Sequence, residues 1–132
     1  MIQIFKSEWE ITKTYIYDVA LNPGMINLNW DDFKAFAEKY RPVVSVKNEG
    51  DSSIKELVEQ AISEISEYRS DKCSNIIASI SYNDSEGFAF DEMEGVLDCL
   101  TMFANEDMEI KWGISQNDTL KSKRCISIFV FE

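Results

Sequence analysis

Histidine is absent from the 132-residue sequence, and cysteine is scarce, so the usual Cys/His zinc set cannot be written. The three cysteines, Cys73, Cys99 and Cys125, are odd in number and far apart. They offer no CxxC redox pair and read as reduced thiols of a cytoplasmic protein. Proline occurs only at 23 and 42, between elements, and no stretch rich in Pro, Gly or Ser marks a linker, which points to one domain over residues 1–132. Glycine occurs only at 24, 50, 87, 95 and 113, and no two are close enough to cradle a phosphate. Positive charge is also short: 13 Lys and Arg stand against 24 Asp and Glu, a formal charge of −11. Such a chain repels nucleic-acid backbones and anionic membranes, so neither is an expected partner. No apolar run approaches membrane-spanning length, and Lys6 and Glu8 leave no room for an apolar signal core. A soluble protein that stays in the cytoplasm is expected.

What is present is enough for one real core, with 45% hydrophobic and 12% aromatic residues. Four helix starts show a capping residue followed three positions on by an acid: Ser7 with Glu10, Asn29 with Asp32, Ser53 with Glu56, and Asp91 with Glu94. After Ser53, the residues Ile54, Leu57, Val58, Ala61, Ile65 and Tyr68 step by three and four, as one face of a helix over 53–69 must. Met93, Val96, Leu97, Leu100 and Phe103 do the same for a helix over 91–104. Alternating runs predict strands at Pro42 to Lys47, Asn75 to Tyr82, Met108 to Ser115 and Arg124 to Phe131. The polar stretch Gln116 to Lys123 suits a hairpin between the last two, and the strand, helix, strand stretches favour parallel pairing. The expected fold is therefore α+β: a two-layer sandwich with a four-stranded mixed sheet, two helices on one face, and an N-terminal helix over 8–21. Residues 1–41 form a helical lead with a loop and a short helix, and 42–132 form the βαβαββ sheet unit.

Alternation also divides the sheet. Val44, Val46, Ile76, Ala78, Ile80, Tyr82, Ile110, Trp112, Ile114, Ile126, Ile128 and Val130 share one side, leaving Ser45, Ser79, Ser81, Ser127, Phe129 and Phe131 opposite. Phe129 and Phe131 need a cover on that small, polar face. The first helix offers Trp9, Ile11, Tyr15, Ile16 and Val19. The alternative is a partner, which would make the two phenylalanines an interaction surface.

The densest polar cluster runs Asn22-Pro23-Gly24-Met25-Ile26-Asn27-Leu28-Asn29-Trp30-Asp31-Asp32-Phe33. In purely structural terms Pro-Gly makes a turn, Asn29 caps a helix, and Asp31 and Asp32 favour the positive end of its dipole. The same pattern, Gly-x-x-Asn-x-[Asp/Asn]-x-x-Asp, resembles the loop through which tubulin/FtsZ family GTPases complete the nucleotide site of the next subunit. Asn75 to Tyr82 followed by Phe88-Ala89-Phe90-Asp91-Glu92, the strand Ile110-Lys111-Trp112-Gly113-Ile114, and the closing Ile126 to Phe131 are similar to family segments in the same order. The resemblance covers roughly residues 14 to 131 and implies the family's C-terminal domain, with the end of its core helix.

Two departures bear on function. The family's nucleotide-binding domain and its glycine-rich phosphate loop have no counterpart, which leaves no catalytic residue in cis, no cofactor and no metal to expect. Asn29 also stands where the family usually has its first acid, while Asp32 keeps the second. An amide cannot act as a base, and Asp31 points about 100° away from Asp32 on a helix. The resemblance thus implies a non-catalytic module that docks on an FtsZ-like or tubulin-like GTPase, or on itself, through Gly24, Asn27, Asn29, Asp31 and Asp32. A trans-acting GTPase activator using Asp32 is a second reading. A small oligomeric ligand-binding domain, with Lys121, Lys123 and Arg124 as its basic cluster, is a third.

Overall fold

The computed structural model describes residues 2–21, 28–66, 75–83, 98, 108–117 and 120–132. Among the described residues, three α-helices start where capping chemistry allows. Ser7 accepts a hydrogen bond from the Glu10 amide at the start of α1 (Glu8–Tyr15), Asn29 caps α2 (Trp30–Lys39), and Ser53 accepts from the Glu56 amide at the start of α3 (Ile54–Ile65). The α1 segment continues as a π-helical turn, Ile16–Ala20, closed by Leu21 N donating to Ile16 O at 3.2 Å. The expected helix over 91–104 lies outside the described residues, apart from Asp98, which is helical.

Among the described residues, five strands form one mixed sheet: β1 (Ile2–Phe5), β2 (Pro42–Gly50), β3 (Asn75–Tyr82), β4 (Glu109–Gln116) and β5 (Arg124–Phe131), in the order β1-β2-β5-β3-β4. This corrects the sequence reading in two places. A fifth strand, β1, pairs antiparallel with β2, Ile4 opposite Val46; at four residues it is too short to stand out by pattern. The last two strands form no hairpin. β5 passes beyond β3 and inserts antiparallel between β2 and β3, while β4 pairs with β3 in parallel at the edge. Burial explains the choice: seven of the eight β5 residues are buried, whereas β4 carries Glu109, Lys111 and Gln116 at exposed or half-buried positions. A strand apolar on both faces belongs at the centre of a covered sheet. β2 and β3 run the same way, as the crossover through α3 requires, but with β5 between them.

Each face carries its own core. On one, α3 lays Ile54, Leu57, Val58, Ala61 and Ile65 over Val44, Val46, Ile76, Ala78, Ile80, Ile114, Ile126, Ile128 and Val130. Asn48, buried on the same face, donates to Leu57 O and Gln60 Oε1, both at 3.0 Å, and ties α3 to β2. On the other face Ile11, Tyr15 and Val19 from the first helix join Leu28, Phe33 and Phe36 over Ile77, Phe129 and Phe131. Phe129 and Phe131 are fully buried within the chain, so they are core residues and not an interaction surface. The cover comes from the first helix as expected, with α2 added to it. Trp9 takes no part and is 72% exposed. Among the described residues, no helix is long and apolar enough to cross a membrane.

Candidate protein-interaction site

The start of α2 is held by reciprocal bonds. Asn29 has extended backbone (φ −134°, ψ −178°); its Oδ1 accepts from the Asp32 amide at 3.3 Å, while Asp32 Oδ2 accepts from the Asn29 amide at 2.8 Å. This is a complete capping box, which satisfies two donors at the helix start. The other Asp32 oxygen, Oδ1, lies 3.5 Å from Lys111 Nζ, and that ammonium sits 5.1 Å from the centroid of the Phe36 ring. Tyr15 donates its hydroxyl hydrogen to Asn29 O at 2.8 Å. Burial, helped by the negative charge of Asp32, pushes the Tyr15 hydroxyl far above its usual range, so it stays protonated as this donor requires.

Aromatic contacts carry the fixing inward. Trp30 stacks on Phe33 at 5.5 Å and 15°, and Phe33 packs 4.8 Å from Tyr15 and 5.1 Å from Phe131. The loop end is therefore bolted to the second core, with Asn29, Trp30 and Asp31 facing outward. Trp30 is 40% exposed, a large apolar surface beside two polar ones. Of the residues singled out in the sequence, Asn29, Asp31 and Asp32 come together here, and Gly24 and Asn27 lie outside the described residues. Asp32 is half-buried, with both oxygens engaged, so its carboxylate caps and pairs rather than standing free to orient a water. The sequence reading missed Tyr15, Trp30 and Lys111 as supports of this site. Alternation alone places Lys111 on the same sheet face as Phe129, which was a usable signal.

The basic cluster of the third reading meets acids. Glu49 Oε1 accepts from the amides of Lys121 and Ser122 at 3.2 and 3.3 Å, and Asp51 Oδ1 accepts from the Lys123 amide at 2.9 Å. A cleft of about 680 Å³ opens between this turn, β2 and Asp18, and Lys47 bridges to Asp18 at 2.8 Å within it. Burial pulls the Lys47 pKa down, but the hydrogen bond and charge of Asp18 outweigh it and the net shift is upward. The turn's amides are occupied by carboxylates, which is a poor setting for an anionic ligand. Among the described residues, no group of three or more Cys, Asp or Glu is placed to hold a metal ion.

Cys125 lies beneath this cleft, and burial pushes its thiol from 9.0 up to about 11. A raised pKa means that the folded state disfavours the thiolate. Its contribution is fully present below pH 9 and is lost as pH climbs through about 11, a loss of about 2 kcal/mol. Urea midpoints measured from pH 7 to 11 are expected to fall across that window, and less steeply in Cys125→Ala; Tyr15 and Lys47, whose pKa values are also raised, add to the fall above pH 10. Identical slopes in the two proteins would mean that the thiol is not desolvated.

No protein-family model and no curated protein matches the sequence. Solved structures do match the fold. An empty FtsZ dimer of M. jannaschii superposes with a TM-score of 0.56 at 16% identity, covering 83% of this chain and 32% of that chain. An FtsZ point mutant of M. jannaschii gives 0.53 at 15% identity, covering 82% and 32%. The chain has an FtsZ/tubulin-like fold. It spans about one third of the length of these two FtsZ chains.

Proposed function

We propose that the protein is a non-catalytic interaction module, related to the FtsZ C-terminal domain, that docks on an FtsZ-like or tubulin-like GTPase in the cytoplasm and modulates its filament in cell division or the cytoskeleton. The observation that carries the reading is the start of α2: in a chain of FtsZ-like fold, the segment that resembles the family's subunit-completing loop ends in a rigid, outward-facing set of Asn29, Trp30 and Asp31. A fixed, partly apolar surface with a polar rim suits docking, because little side-chain freedom is lost on binding. The engagement of Asp32 by the Asn29 amide and by Lys111 favours docking over activation in trans. The charge of −11 and the absence of a glycine-rich loop accord with a chain that holds no nucleotide by itself.

The test mixes wild type, Asp32→Ala and Asn29→Asp with an FtsZ-like GTPase and follows filament sedimentation and phosphate release. Asp32→Ala is expected to cost about 1 kcal/mol of stability through the lost capping box, and to weaken the effect on filaments by more than that cost explains. Asn29→Asp keeps the cap; under docking alone it leaves the phosphate released per filament unchanged, whereas the activator reading requires a rise. Equal behaviour of all three proteins, at concentrations where binding is shown independently, would reduce the loop to a capped turn.

A further inference from the structure

The two oxygens of Asp32 are held in different ways. Oδ2 accepts from the Asn29 amide at 2.8 Å and belongs to the capping box, so it cannot be released without opening the start of α2. Among the described residues, Oδ1 meets Lys111 Nζ alone, in a long contact of 3.5 Å from another layer of the fold, 79 residues away. The ammonium also has the Phe36 ring 5.1 Å from it, so its place does not depend on Asp32. Both side chains are partly open to solvent, and such a pair adds little to stability. The capping box fixes α2 without it, and an apolar side chain at 111 would cover Phe36 as well. What the pair does change is the charge that Asp32 presents at the docking site.

We infer that Lys111 is a positioning residue of that site, a lock that neutralises Asp32 and so favours binding of the GTPase over acceleration of its turnover. The inference rests on the docking reading above. A GTPase presents nucleotide phosphates, and a bare carboxylate brought up to them is repelled, whereas one compensated by an ammonium is not. The same ammonium occupies the one oxygen of Asp32 that could take a proton. With Lys111 removed, Oδ1 is free to act on a water at the partner's GTP. The water oxygen would bond the γ-phosphorus as its proton passes to Oδ1, the bond from that phosphorus to the β-phosphate oxygen would break, and GDP and inorganic phosphate would leave. The amide of Asn29 cannot take that proton. The silence of the site is thus placed in a single side chain, outside the helix that carries Asp32.

The experiment uses an FtsZ-like GTPase loaded with GTP, and the full chain as wild type, Lys111→Arg, Lys111→Met and Asn29→Asp/Lys111→Met. Methionine keeps a flexible apolar stem over Phe36, so the melting temperature of Lys111→Met should stay within about 2 °C of wild type. Binding is read by co-sedimentation, and phosphate release is expressed per bound copy. Lys111→Met is expected to bind about threefold or more weakly and to release phosphate about threefold or more faster per bound copy, a split that lost packing alone would not give. The double variant should be faster again, and Lys111→Arg, which keeps the charge, should behave as wild type. Binding by Lys111→Met with unchanged turnover per bound copy overturns the lock and leaves docking intact. Equal acceleration by Lys111→Arg overturns it too, because the charge would not be the cause. Absence of binding by wild type overturns the docking reading, and the lock with it.

Discussion

Replacing Phe129 with alanine is expected to lower the free energy of unfolding by about 3 to 5 kcal/mol, enough to unfold a marginally stable domain. The ring lies in the middle of β5, fully buried, with Ser45 of β2 opposite it on one side and Ile77 of β3 on the other. Tyr15 meets it edge-on at 5.1 Å. The walls of the resulting cavity are a hydrogen-bonded sheet and a helix whose Tyr15 is anchored to Asn29, so they have little freedom to collapse, and the cost should fall toward the upper end of the range. Urea titration checks it: the midpoint should drop with the m-value unchanged. Trp9→Ala, at an exposed position of the first helix, serves as the control and should stay within about 0.5 kcal/mol of wild type. A loss below about 1 kcal/mol for Phe129→Ala would mean that the second core is not closed.

Deletion of residues 1–21 should have a larger effect still, and of a different kind. It removes β1, α1 and the π turn together, baring Ile77 and Phe129 while α2 still covers Phe131 through Phe33 and Phe36. It also strips β2 of its edge partner, leaving unpaired backbone donors and acceptors next to a newly apolar face. Association or aggregation at micromolar concentration is expected, read by light scattering and sedimentation. A truncated protein that stays a well-behaved monomer of unchanged stability would show that the first helix is not the cover.

The local parts of this fold were legible in the residues. β3 and β5 begin and end where alternation put them, at Asn75–Tyr82 and Arg124–Phe131, and three capping pairs make their hydrogen bonds as read. The division of the sheet into two faces also held, because the period of two is imposed by the backbone and not by context. Pairing was harder. The hairpin reading of Gln116 to Lys123 relied on proximity in sequence, whereas the apolar character of both faces of β5 called for a central place. The supports of the candidate site were the least legible: Lys111 meets Asp32 across 79 residues and Tyr15 meets Asn29 across 14, and no local pattern records either meeting. Phe129 and Phe131 read as a surface in want of a cover because α2's contribution, Phe33 and Phe36, becomes visible only once its helix is laid on the sheet.

The central position of β5 sets a schedule for the chain as it leaves the ribosome. β2 and β3, made first, are not neighbours; each has an edge that only residues 124–131 can fill. Before β5 is in place the other four strands can pair only as two half-sheets, β1-β2 and β3-β4, with apolar residues on both sides of the gap. Their joining closes long loops late, an entropic cost that slows folding and prolongs the exposure of unpaired strands. Unpaired edges of this kind are open to mispairing until β5 fills the gap, and β5 supplies residues to both cores.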